Sequence, residues 1–225
     1  SLPIDSDESI YLEAADEVAI ALRHRAAAGL VGPRKNTEHP GLVKLLYGVG
    51  IAGLGEDPSL VQRLAMVRGM SMMAGVATVA VVACIHPAAG LALATHTLHA
   101  KYSTEGYLDA LPLLWMSLGM LIGWRHRHAP ASQMMLIAAA CWGAAIAGKW
   151  IHGMPGLVLL AVIPGLGARL RFGLTAAACA WLLDPTMWLD PWGRIMTMMA
   201  AHQHYAATVA PETFWAAPLF NLVEG

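Results

Sequence analysis

Apolar and charged positions are segregated along this chain into long blocks. From Gly69 to Ala100 there is no Asp, Glu, Lys or Arg, and the block is closed by Arg68 and Lys101. About 20 apolar residues at 1.5 Å rise cross a ~30 Å hydrocarbon core. Gly69 to Ile85 nearly supplies that length before Pro87 removes a backbone donor and bends or ends the helix. The remainder, Ala88 to His99, reads as a second leg or an interfacial turn. Further blocks follow at Tyr107 to Trp124, with Asp109 at its mouth, and at Gln133 to Ile151. Leu157 to Ala168 is interrupted by Pro164, and Phe172 to Leu183 is ended by Asp184-Pro185. A weaker block, Ile195 to Ala210, is broken by His202, Gln203 and His204. The pattern predicts an all-α, polytopic transmembrane helix bundle of about five to six membrane segments. The short blocks are expected as tilted, re-entrant or half-crossing helices.

Only residues 1–66 have ordinary soluble patterning. Ser6 with Asp7 and Glu8 reads as a helix start. Ile10/Tyr11, Ala14/Ala15, Val18 and Ala21/Leu22 then recur at helical spacing, with Arg23 and Arg25 late, where the helix dipole favours cations. One amphipathic helix ending near Gly29 is expected, followed by a loop over 29–41. Gly48 to Gly53 matches a dinucleotide-type GxGxxG but lacks the flanking strand and the acidic residue that such a site needs, so close helix packing explains the glycines. Asp57-Pro58 is the expected start of the first membrane helix. The organisation is therefore an N-terminal helical region (1–66), a transmembrane bundle (67–210) and an interfacial tail (211–225) anchored by Phe214, Trp215 and Phe220.

Composition sharpens the class. The chain is 57% hydrophobic and 13% charged, with mean hydropathy +0.53, whereas soluble domains carry about 25% charged residues. Net charge −1 gives no basic excess for a polyanion, so nucleic acid is not expected as a partner. Cys84, Cys141 and Cys179 lie in apolar blocks without CxxC spacing and read as small buried side chains. The chain opens at Ser1 without the charged, apolar and small-residue order of a secretory signal. With a cytoplasmic N-terminus, simple alternation of the blocks puts Arg125/Arg127 and Arg169/Arg171 on the side of the N-terminal arginines and lysines. That arrangement satisfies the positive-inside rule. The expected location is an inner or cytoplasmic membrane with the N-terminal region cytoplasmic.

Candidate chemistry centres on histidine. His96 and His99, at i and i+3, share a helical face and could hold a metal, and His86 lies 13 residues before His99, the separation of two stacked haem sites on one helix. Against this stand interfacial or hydrogen-bonded histidines, and a proton-relay role. Gly119-x-x-x-Gly123 is a close-packing motif, and Ala138 to Ala147 and Ala176 to Ala180 present small-residue faces. Trp115 and Met116 are expected off the Gly119/Gly123 contact face. No catalytic residue set, nucleotide loop or mid-span carboxylate appears. The leading expectation is a non-enzymatic structural or accessory subunit of a larger membrane complex, in contact with the lipid bilayer and with other membrane subunits or copies of itself. The alternatives are a transporter or channel subunit with Pro-broken helices, and a haem- or metal-binding oxidoreductase subunit using His86, His96 and His99. No cofactor is assigned, with haem or a metal ion as the candidates.

Overall fold

The computed structural model describes residues 4, 6–31 and 35–208. The expectations about the side chains of Ser6 and His202 and about the tail 211–225 fall outside the described part. Every regular element among the described residues is helical: α1 (Ser6–Arg23), α2 (Ala28–Val31), α3 (Leu42–Ala52), α4 (Leu60–Ile85), α5 (Pro87–Thr95), α6 (Thr97–Thr104), α7 (Ala110–His126), α8 (Gln133–Gly148), α9 (Gly156–Val162), α10 (Leu166–Leu183) and α11 (Pro191–Thr208). Short 3₁₀ turns precede α9 and follow α10. Two of these helices, α4 and α10, are long and apolar enough to cross a membrane.

Local sequence explains the boundaries. α4 starts at Ser59 rather than at Asp57-Pro58, because the Ser59 hydroxyl accepts the Gln62 N–H while the Gln62 side chain accepts the Ser59 N–H. That reciprocal cap satisfies two donors at once. His86 leaves the helical region, and Pro87 opens α5 at a position where its missing N–H costs nothing. A further extended residue, His96, breaks the return leg into α5 and α6.

Helix α4 has its polarity reversed relative to a soluble helix. Its buried residues are Leu64, Val67, Ser71, Ala74, Gly75 and Thr78, while Met73 and Val76 are 71% and 67% exposed. Leu91 on α5, Leu157 and Val158 on α9, and Leu170, Leu174 and Leu182 on α10 are also exposed. From Ser71 onward, α4 therefore turns small and hydroxylated side chains to the neighbouring helices, while many large apolar side chains of the legs face outward.

The legs run back and forth between two ends. α5 and α6 return antiparallel along α4, with Gly90 against Ala83 and Gly75 against Ser103. α7 then runs parallel to α4, from Tyr107, whose carbonyl meets Tyr47, to Arg125, which donates to the Cys84 carbonyl at 3.2 Å. α8 comes back on α7 and brings Lys149 to Asp109. The 3₁₀ turn and α9 go out again, and α10 returns to put Asp184 against Gly41. This return leg corrects the charge grouping expected above. The N-terminal helices lie at the Asp109 end, and Arg125, Arg127, Arg169 and Arg171 lie at the other, about 24 Å away along α7. α1 and α3 share a core with Leu64, Val67, Tyr107 and Leu108, and a second core joins Met116, Trp142, Leu159 and Phe172.

Candidate functional site

At the end carrying α1 and α3, three polar constellations lie where the legs turn. In the first, Glu8 is fully buried. Its carboxylate accepts Arg68 Nε at 2.8 Å, Arg68 Nη2 at 2.7 Å and the Gly106 N–H at 2.7 Å. A fork of guanidinium donors on both oxygens is the arrangement that makes a buried carboxylate tolerable. Gly106 has no room for a side chain, since a Cβ there would sit 2.8 Å from Val67 and 3.2 Å from the Glu8 carboxylate.

The second is Tyr47, fully buried on α3. Its phenol donates to the Tyr107 carbonyl at 2.7 Å and pairs with the Ser71 hydroxyl at 2.6 Å. Burial pushes the phenol far above its ordinary range, so it stays a neutral donor and Ser71 donates to it. Tyr107 is ringed by Tyr11 and Tyr102, with centroids 5.8 and 5.0 Å away, and Lys101 Nζ lies 5.7 Å over its ring.

The third joins α7 to the turn after α8. Asp109 receives Lys149 Nζ at 2.8 Å on each oxygen and His152 Nε2 at 2.9 Å on Oδ1. Lys149 and Asp109 are 18% and 16% exposed, so the pair is largely withdrawn from water. Because the carboxylate can only accept, His152 uses its Nε2–H here. The described partners of this histidine include no serine, threonine or cysteine, which leaves the cluster as a three-way charge clasp rather than an activated nucleophile.

Beside these lies an apolar cavity of about 390 Å³ between α8, α10 and α11, lined by Ile146, Trp150, Ala180, Ile195 and Met198. Asp184 is buried in its wall, with Oδ1 accepting the Thr186 N–H at 3.1 Å and the Thr186 hydroxyl at 2.7 Å. Arg194 ties α11 to the N-terminal loop by donating to the Thr37 and His39 carbonyls at 2.6 and 2.7 Å.

The residues predicted from sequence fall as follows. His86 ends α4 at the arginine end, His96 is exposed between α5 and α6, and His99 faces α4, with Nε2 3.3 Å from the Gly75 carbonyl. His86 and Gly75 are eleven residues apart on α4, about 16 Å at 1.5 Å per residue, so His86 is not brought to His99. No group of three or more His, Cys, Asp or Glu able to hold a metal occurs among the described residues. The three cysteines are free thiols, and Cys84 is exposed rather than buried.

Gly119 and Gly123 are buried on α7. A Cβ on Gly119 would lie 3.1 Å from the Ala138 carbonyl oxygen, and one on Gly123 would lie 2.7 Å from Leu159. Their close contacts are thus with α8 and α9 of the same chain. Met116 is 3% exposed, so it does not lie off the packed surface as expected, and Trp115 packs beside both cores.

Sequence reading missed the Asp109–Lys149–His152 clasp. Its signal was an acid at the start of one apolar block and a Lys-x-x-His at the end of the next, which antiparallel legs bring to one level. With this geometry in hand, comparison with known proteins adds no relative: no protein-family model, no curated protein and no solved structure matches the chain.

Proposed function

We propose that this chain is an integral membrane protein that serves as a non-catalytic, structural or accessory subunit of a membrane assembly. The observation that carries the membrane part is the reversed polarity of the legs, with Met73, Val76, Leu91, Leu170 and Leu174 exposed while Ser71, Gly75 and Thr78 are buried. A soluble protein rarely exposes so continuous an apolar surface, and lipid is the solvent that suits it. Six crossings fit the leg pattern: α4, the broken α5–α6 pair, α7, α8, the 3₁₀ turn with α9, and α10. α11 lies across the acidic end.

Pairing of the interior charges supports the accessory role. Glu8 is held by Arg68, and Asp109 by Lys149 and His152, which favours scaffolding over turnover. The clefts beside the broken legs, about 250 Å³ between α4 and α5–α6 and about 520 Å³ between α9 and α10, are lined mostly by apolar side chains, which suits acyl chains better than a polar transported substrate. Trp142 stacks on Phe172 at 5.5 Å, with Leu159 and Ile163 fully buried beside them.

Orientation follows from charge. Of 15 acidic residues, Asp5, Glu212 and Glu224 fall outside the described part. The other twelve all belong to the end that carries α1 and α3. Arg125, Arg127, Arg169 and Arg171 occupy the opposite end with no acid. The positive-inside rule weighs lysines and arginines and takes little account of acids, and the α1/α3 end holds nine of the described lysines and arginines against these four, which favours a cytoplasmic N-terminal region, the orientation expected from sequence.

Single cysteines at positions 35 and 127, in a background with the three native cysteines replaced, test both topology and side. An impermeant maleimide should label position 127 in intact cells and position 35 only after the membrane is opened. Labelling of both from one side, or extraction of the protein by alkaline carbonate, defeats the membrane reading. For the accessory role, the native complex in mild detergent should contain a stoichiometric second membrane protein. A monodisperse single chain with a measurable turnover of its own overturns it.

A further inference from the structure

The four arginines at the end remote from α1 share one property. Arg125 donates to the Cys84 carbonyl at 3.2 Å, Arg127 to the Trp124 carbonyl at 2.6 Å, Arg169 to the Ile163 and Ala161 carbonyls at 2.7 and 3.1 Å, and Arg171 to the Pro130 carbonyl. Each guanidinium thus anchors on backbone carbonyls, which carry no net charge to neutralise it. All twelve described carboxylates are at the other end. Arg125, Arg169 and Arg171 are exposed, and Arg127 lies over the Trp124 ring, 4.1 Å from its centroid. The backbone bonds fix where each guanidinium stands and leave further N–H donors of the fork uncommitted. Around this rim Trp124, Met134, Leu166 and Leu170 are exposed and apolar. The end thus carries four cations held by backbone carbonyls and bordered by side chains that suit acyl chains.

We propose that Arg125, Arg127, Arg169 and Arg171 form a docking surface for the phosphate groups of anionic phospholipids in the leaflet that this end faces. The inference rests on the membrane reading above but not on which leaflet that is. Guanidinium forks match phosphate oxygens geometrically. A cation held near an anionic bilayer surface gains about fivefold in local lipid preference per charge, an effect screened by salt. Zwitterionic headgroups would meet the same donors without the net attraction.

The test is native mass spectrometry of the detergent-purified full chain, offered phosphatidylglycerol and phosphatidylcholine of equal acyl length in equal amount. Phosphatidylglycerol adducts should exceed phosphatidylcholine adducts about fivefold or more. The ratio should approach one in the variant carrying Arg125→Gln, Arg127→Gln, Arg169→Gln and Arg171→Gln. The matching all-Lys variant keeps the charge and should retain most of the preference, and Lys35→Gln at the opposite end should change nothing. If the quadruple Gln variant does not fold, Arg171→Gln alone should lower the ratio. Parity in the wild type, an unchanged ratio in the Gln variants, or equal loss with Lys35→Gln overturns the proposal. Displacement of the lipid by millimolar inorganic phosphate does so as well, since that behaviour marks a free-anion site. Retained preference together with labelling of position 127 only after the membrane is opened would leave the lipid surface standing and reverse only the proposed orientation.

Discussion

Gly143 is the glycine whose replacement the fold should tolerate least. It sits mid-helix on α8 where α10 crosses. A Cβ there would fall well inside contact distance of the Ala176 carbonyl oxygen, 2.7 Å from Cys179 Cβ and 3.0 Å from the Ala180 nitrogen. Two of those three atoms are backbone, so no rotamer change relieves the clash. The helices must part by several tenths of an ångström to 1 Å across a contact that includes Trp142, Phe172 and Ala176. Overpacking of this kind costs about 1–3 kcal/mol, and the gain in helix propensity from Gly to Ala returns up to about 1 kcal/mol. A net loss of about 2 kcal/mol is expected for Gly143→Ala. Gly119→Ala, whose nearest neighbours stand at 3.1 and 3.2 Å, should lose less. Gly123→Ala meets the flexible end of Leu159 and should lose least of the three. Gly69→Ala, with nothing within 4 Å, should be neutral or stabilising. Reversible unfolding of the four variants in mixed micelles, followed by circular dichroism, ranks them. If Gly143→Ala is as stable as Gly69→Ala, α8 and α10 do not cross where described.

Two further outcomes follow from the charged groups. Lys149→Met leaves Asp109 largely buried with His152 as its remaining partner, and should cost about 3 kcal/mol in the same unfolding assay. Adding Asp109→Asn to that variant should recover part of the loss, and failure of the double variant to recover any would mean the clasp is not coupled. At Asp16, burial raises the carboxyl above its usual range despite the neighbouring Arg63. With the folded pKa above the unfolded one, the folded state binds the extra proton between them, so this group favours folding more as pH falls through that window and less as pH rises. Asp16→Asn should flatten that part of the stability profile, and an unchanged profile refutes the assignment.

Much of the fold was legible because apolar blocks and prolines act locally. Block boundaries at Lys101, Gln133 and Leu183 fall within a few residues of helix ends, whereas Arg68 lies eight residues inside α4, and the Gly119 and Ala138–Ala147 surfaces meet neighbouring helices as small faces must. What was not legible was pairing at a distance. Ala88 to His99 carries two histidines and two threonines, so hydropathy left its status as a full leg open, and counting it as a turn inverted the side of every later loop. The Glu8–Arg68 and Asp109–Lys149–His152 contacts bridge 60, 40 and 43 positions. No periodicity within one helix encodes them. The histidine trio looked promising only on a continuous helix, and the extended residues at His86 and His96 remove that premise.

On the membrane reading proposed above, the return leg also bears on how the chain is inserted. The leg formed by α5, His96 and α6 holds Thr95, His96, Thr97, His99 and Lys101 within seven residues, a sequence poorly suited to partition into lipid alone. Thr95 and Thr104 turn their hydroxyls back onto their own helices, donating to the Leu91 and Ala100 carbonyls at 3.1 and 2.9 Å. Ser103 packs directly on Gly75 of α4. Thr95, Thr104 and His99 thus spend their polar groups on the leg itself and on the helix synthesised just before it. During biosynthesis α4 should wait at the exit site until Thr104 has emerged, and the two then enter as one helical hairpin, with the remaining legs added to a pair already closed.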